Sequence, residues 1–280
     1  MKRLLTALFA ALTLSAAVSA ADHEIVKVWP DGAPNDTGIR SSEKDSIEWC
    51  IINEPVMHIF PAEKPVGKVV LMCPGGGYRH LGMENEGYSF APWYNEQGID
   101  VVILQYRMPN GHHDVPLSDV HQAMRYVRGR FPGALVGIQG FSAGGHLAAT
   151  AATHYDDAVT RPDFQILFYP VIAVSGPNSH PWSSKNLLGE NPSQELCDLY
   201  NNHLRVTADN PPAFILHSSD DTVVPISNSL DYYSALVRNG VSASLHVYPI
   251  GGHGWGFYDG FAYKPMWSAE LKYRLSTLNK

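Results

Sequence analysis

From Lys68 onward the chain keeps one rhythm: a short apolar run, a turn, then a helix-forming stretch. Lys68–Cys73, Asp100–Gln105, Leu135–Gln139, Phe164–Tyr169, Ala213–Ser218 and Ala243–Tyr248 read as buried strands. Asn85–Gln97, Pro116–Arg130, Ala143–His154, Ile226–Arg238 and Trp267–Leu278 read as helices, with Pro116 suited to a helix start and Gly98 and Gly240 to helix ends. Such alternation leaves few topologies. It predicts right-handed crossovers and an α/β fold with a mostly parallel central sheet and helices on both faces. Residues 22–65 are interrupted by prolines and read as an N-terminal arm with short strands at Glu48–Asn53 and Val56–Phe60. One stretch breaks the rhythm. Pro170–Pro212 is too long for an ordinary loop and keeps Trp182, Leu187, Leu188, Leu196 and Leu199, so it is expected to be a small cap insertion, about 170–212, above the strand ends.

The N-terminus has a different character. Lys2 and Arg3 precede an apolar segment, Leu4–Val18, that ends in Val18-Ser19-Ala20. This is the layout of a secretory signal peptide over 1–20, shorter than the run of about 20 apolar residues that spans a bilayer. The expected mature protein is therefore exported, to a periplasm or beyond, as a single domain over 21–280, with no membrane association after cleavage. A net charge of −7 offers no basic footprint for nucleic acid. Cys50, Cys73 and Cys197 are an odd set whose pairing stays open, and their spacing matches no zinc motif.

Gly140-Phe141-Ser142-Ala143-Gly144 fits G-x-S-x-G, placed between an apolar strand and an Ala-rich helix. That placement exposes a serine at a sharp strand-to-helix turn. A serine hydroxyl needs a base, and the base an acid to orient it. In chain order these are Asp221, in the loop after the strand Ala213–Ser218, and His253, within Gly251-Gly252-His253-Gly254 after the last strand. Asp220 competes with Asp221, whose D-x-x-V-P spacing favours it. His146 and His217 read as structural. His112, His113, Asp114 and His121 lack a ligand spacing, and no metal or cofactor is called for. Backbone amides of Gly76, Gly77 and Ala143 are the candidate oxyanion hole, the first two from Pro74-Gly75-Gly76-Gly77-Tyr78. Tyr78, Trp182 and Trp255 are candidates for an apolar platform under a sugar ring.

These elements in this order resemble the α/β-hydrolase esterases. Over about Lys68 to His253, with the Pro-Gly-Gly-Gly-Tyr loop and Met83-Glu84-Asn85-Glu86-Gly87-Tyr88, the chain is similar to bacterial carboxylesterases related to acetylxylan esterases. The resemblance implies an α/β-hydrolase fold and removal of short acyl groups from an acetylated carbohydrate, xylan or xylo-oligosaccharide. A feruloyl or other small-ester esterase, and a non-catalytic carbohydrate-binding protein on a hydrolase fold, remain alternatives. The oligomeric state is not legible.

Overall fold

The computed structural model describes residues 23–39, 52 and 54–278. The signal segment, Cys50 and the expected strand Glu48–Asn53, Ile52 apart, lie outside them. Among the described residues eight strands form one sheet: β1 (Glu24–Lys27), β2 (Val56–Phe60), β3 (Lys68–Cys73), β4 (Asp100–Gln105), β5 (Leu135–Phe141), β6 (Phe164–Phe168), β7 (Ala213–Ser218) and β8 (Ala243–Tyr248). Their spatial order is β1-β2-β4-β3-β5-β6-β7-β8. The pairs β1–β2 and β2–β4 are antiparallel, and every pair from β4 to β8 is parallel. The central strands are near-continuous apolar runs because parallel strands are covered on both faces. Val69 to Cys73, for example, are all buried.

Among the described residues seven α-helices accompany the sheet: α1 (Ala91–Asn95), α2 (Asp114–Arg130), α3 (Ser142–Thr153), α4 (Pro181–Leu188), α5 (Gln194–Tyr200), α6 (Ser227–Arg238) and α7 (Lys264–Thr277). Strand parity sorts their packing. On β5, Gly140 backs onto Ala148 of α3, which in turn packs on α2. Gln139 and Phe141 have the opposite parity. They meet Tyr94 of α1 and Phe90 just before it, and Trp267 of α7 joins the same aromatic cluster. Helices therefore cover both faces, as the alternation requires.

The arm before β2 is pinned by a buried ion pair. Asp119 of α2 accepts from the Arg107 guanidinium at 2.7 Å and from Trp29 Nε1 at 2.7 Å, while Arg107 Nη1 donates to the Asn35 carbonyl. The expected helix Asn85–Gln97 is shorter than its periodicity suggested. Residues 83–87 form turns, Tyr88–Phe90 a 3₁₀ turn, and only Ala91–Asn95 is α-helical. The stretch 170–212 carries α4, α5 and a short 3₁₀ turn at Asn202–Leu204, with Leu187, Leu188 and Tyr200 buried.

Candidate active site

The G-x-S-x-G pentapeptide is the junction of β5 and α3. Ser142 takes φ = 51°, a left-handed conformation that costs energy for a residue with a Cβ and persists only where the surroundings enforce it. The flanking glycines allow the chain to turn that tightly. A Cβ on Gly140 would lie 2.2 Å from the Gly144 carbonyl oxygen, and one on Gly144 would lie 2.1 Å from that of Cys73. Ser142 thus stands at the N-terminus of α3, where the first amides have no partner within the helix and carry its positive end.

Two loops at the same end of the sheet complete the arrangement. Asp221 follows β7 and His253 follows β8, adjacent parallel strands. His253 Nε2 lies 2.8 Å from Ser142 Oγ, and Nδ1 lies 2.6 Å from Asp221 Oδ2. The Asp221 side chain is wholly buried, and Oδ1 accepts from the amides of Val223 and Val224 at 2.9 Å each. His217 Nε2 lies 3.2 Å from the other oxygen. Burial by itself would raise this carboxyl. The hydrogen bonds of His217, His253 and Val224, with the charge of His253, overcome that and hold it far below the ordinary aspartate range.

Asp220, the sequence competitor, points the other way. It accepts from Gly251 N at 3.1 Å and Gly252 N at 2.8 Å, so it fixes the loop that carries His253. His217 also bonds Ser229 Oγ at 2.7 Å through Nδ1, and His146 sits between Tyr78 and the Tyr200 carbonyl. The His112–His121 group is dispersed, His113 to Tyr200 and His121 to Asp156. Among the described residues no set of three His, Cys, Asp or Glu is gathered as for a metal. Cys73 and Cys197 are free buried thiols.

Ser142 and His253 open into a cleft of about 780 Å³ whose walls include Gly76, Gly77, His180, Trp182 and Asn186. A larger groove of about 1210 Å³ lies between residues 60–68, 84–99 and α7, and contains none of the three. The Gly76 and Gly77 amides donate to no protein acceptor among the described residues, and Ala143 is in the unpaired first turn of α3. Asn186 of α4 donates to the Gly77 carbonyl at 2.8 Å, joining the 170–212 segment to the glycine loop.

The three candidate platform residues separate. Trp182, at the start of α4, is 63% exposed and lines the cleft. Tyr78 is buried, its hydroxyl 2.8 Å from His146 Nδ1. Trp255 is buried, stacked on Phe261, with Nε1 donating to Ser218 Oγ. Both are therefore packing residues and are withdrawn as sugar platforms. Sequence reasoning passed over His180 and Asn186 as cleft residues and Glu86 behind the glycine loop. Only Glu86 had a signal, as a carboxylate in a Gly-flanked turn.

Comparison with known proteins places the chain in a family. The BD-FAE family model matches residues 57–236. An acetylxylan esterase of Xylanibacter ruminicola is 41% identical over 216 residues, covering 74% of this chain and 45% of that protein. An endo-1,4-beta-xylanase B of Butyrivibrio fibrisolvens is 33% identical over 204 residues, covering 66% and 32%. The chain thus spans less than half the length of these two curated relatives. The crystal structure of an acetyl ester-xyloside bifunctional hydrolase from Caldicellulosiruptor lactoaceticus superimposes with TM-score 0.77 at 32% identity, covering 90% of this chain and 95% of that one. The chain belongs to the BD-FAE family of esterase domains, on the α/β-hydrolase fold.

Proposed function

We propose that the protein is an exported serine carboxylesterase that removes acetyl and similarly short acyl groups from xylan or xylo-oligosaccharides. The observation that carries this reading is the contact sequence Ser142 Oγ, His253, Asp221 at the floor of a cleft. In the first step His253 Nε2 takes the Ser142 proton as Oγ attacks the ester carbonyl carbon. Asp221 keeps Nδ1–H pointed at itself, which leaves Nε2 as the base and stabilises the imidazolium. The amides of Gly76, Gly77 and Ala143 receive the oxyanion, with the positive end of α3 behind Ala143. The imidazolium then protonates the sugar oxygen as its bond to the acyl carbon breaks, and the sugar leaves as the free alcohol. Water, deprotonated by the same nitrogen, attacks the acyl-serine and releases the acid. Trp182 offers its exposed face to the sugar carrying the ester. No step in this sequence calls for a cofactor.

The test is acetate release from acetylated xylo-oligosaccharides, run beside p-nitrophenyl acetate, p-nitrophenyl butyrate and a feruloylated oligosaccharide, with Ser142→Ala as control. Acetate release from the sugar, abolished in the variant, is the expected result. Turnover of the p-nitrophenyl esters alone would keep the mechanism and remove the xylan assignment, and preferred ferulate release would make the protein a feruloyl esterase. Export is tested by N-terminal sequencing of the protein recovered outside the cytoplasm, expected to begin at Ala21.

A further inference from the structure

The mechanism above makes no use of Glu86, yet few side chains are placed so deliberately. It is 8% exposed and lies immediately behind the glycine loop. Oε2 accepts from the Gly75 amide at 2.7 Å, and Oε1 accepts from the Tyr169 hydroxyl at 2.8 Å. The Tyr169 oxygen in turn accepts from the Gly256 amide at 2.9 Å. Gly75 opens the loop assigned to the oxyanion, and Gly256 lies three residues beyond His253. We propose that Glu86 is a positioning residue of the esterase site, acting as a carboxylate that holds the oxyanion loop and the histidine loop in mutual register through Tyr169 and favours the cation that forms on His253 during acyl transfer; the proposal rests on the serine-esterase reading.

The donor pattern selects a carboxylate. Gly75 N–H points at it from one side and Tyr169 O–H from the other, and the ionised form accepts from both without a proton of its own to place. An amide in its place turns its NH2 toward one of the two donors and leaves a buried N–H without an acceptor, which is costly. Tyr169 is itself held against preference, at φ = 37°, with its ring edge-on to His253 at 4.8 Å between centroids. The tyrosine is therefore placed to carry both the hydrogen bond and the packing.

The charge has one cationic neighbour of consequence. The titratable groups facing Glu86 are Tyr169 after β6, Tyr106 after β4 and His253 after β8, with Asp221 behind Tyr169. No Lys or Arg pairs with Glu86 among the described residues. Burial raises its carboxyl, and the bonds from Tyr169 and Gly75, with the charge of His253, counter that rise. Glu86 and His253 both touch Tyr169, the one at its hydroxyl and the other at its ring, and an anion this near favours the imidazolium that forms during acyl transfer.

Glu86→Gln, Glu86→Asp and Tyr169→Phe test this in the full chain. kcat and KM for p-nitrophenyl acetate are measured across the pH range, with the rate at which a fluorophosphonate labels Ser142 as a second readout and thermal melting as a control for folding. Glu86→Gln is expected to lower kcat about tenfold to a hundredfold with KM changed less than about threefold. It should also move the acidic limb of kcat/KM to lower pH by about half a unit, because the imidazolium has lost a neighbouring anion. Glu86→Asp retains the charge and should restore the limb. Tyr169→Phe should lower kcat and leave the limb in place. A Glu86 that merely packs would change melting and kcat together while the limb stayed put, and that result, or a kcat within about twofold of wild type, overturns the proposal. Should the amide variant not fold, an unchanged kcat in Tyr169→Phe overturns it. A wild type that is labelled at Ser142 but hydrolyses no ester would overturn the esterase reading alone, with the role of Glu86 then decided by the pH profile of labelling. A wild type that is not labelled overturns both.

Discussion

Adjacent carboxylates on one loop have separable duties. Asp221 receives His253 Nδ1 and is braced from behind by His217, whereas Asp220 binds the backbone on which His253 rides. Losing the first removes a charge from the imidazole and permits the wrong tautomer. Losing the second lets a correctly charged imidazole wander. Asp221→Asn is therefore expected to lower kcat by about 10³–10⁴ with little change in KM. Asp220→Ala should cost about 10–100-fold through misplacement of the ring. Steady-state kinetics on p-nitrophenyl acetate separate the two, and equal losses would mean that the two carboxylates are not distinguished as the geometry assigns. Sequence spacing favoured Asp221 through D-x-x-V-P, and the structure gives that pattern a reason, since the turn brings the amides of Val223 and Val224 to Oδ1. The bracing by His217 was not legible, since nothing in a one-dimensional pattern says that a strand-end histidine and a loop aspartate four residues on will lie 3.2 Å apart.

At the scale of elements, what was legible followed from burial on both faces. The strands from Lys68 to Ser218 are largely apolar and buried, and the limits of all six strands between Lys68 and Tyr248 differ from the sequence expectation by at most two residues. What was missed lies where periodicity is weak or misleading. Strand β1 is four residues long, mostly exposed and at the sheet edge, so it has no core-facing pattern to read. Helices α4 and α5 are seven or eight residues long in a Pro-, Asn- and Ser-rich setting, and their stability comes from the seats of Leu187, Leu188 and Tyr200 rather than from propensity. Residues 85–90 have a helix-like period but give it up, because the turn at Gly82–Gly87 sends Glu86 inward to Gly75. The same reasoning explains the aromatic candidates. Tyr78 and Trp255 sit in glycine-rich segments next to the site, but each has a buried partner for its polar atom, and only Trp182 on α4 keeps a face free. Trp182→Ala is accordingly expected to leave melting unchanged and to raise KM for acetylated xylo-oligosaccharides about 5–30-fold, corresponding to about 1–2 kcal/mol of lost ring contact. KM for p-nitrophenyl acetate, which has no sugar, should be unaffected. Equal effects on both substrates would place Trp182 outside sugar recognition.

For the molecule as a whole, a buried histidine on the nucleophile helix ties stability to pH. His146 of α3 is completely buried between the Tyr78 hydroxyl and the Tyr200 carbonyl, each 2.8 Å away. Nε2 donates to the carbonyl and Nδ1 accepts from the hydroxyl, so both nitrogens are satisfied in the neutral ring and a second proton would confront the tyrosine donor. Burial lowers its pKa to about 4, against which the Tyr200 carbonyl pulls upward and the nearby His154 pulls down further. In the unfolded chain the same ring titrates near its ordinary value of about 6.5. Above that pH neither state is protonated, and His146 exerts no pH dependence. As pH falls from about 6.5 to about 4 the unfolded chain takes up a proton that the native protein refuses, so stability declines with acid and levels off once the native ring also titrates. The gap of about 2.5 units limits the loss to about 3 kcal/mol. Glu86 works in the opposite sense, because a carboxyl raised by burial takes its proton in the native state first. The contribution of His146 must therefore be isolated by difference. Urea unfolding of the wild type and His146→Gln, each at pH 7.5 and 4.5, should show a smaller acid-induced loss in the variant, by about 2–3 kcal/mol, even if the variant is the less stable protein at neutral pH. Two parallel losses would mean that His146 accepts its proton in the native fold, and that α3 and the segment bearing Tyr200 are not sealed against each other as the structure has them.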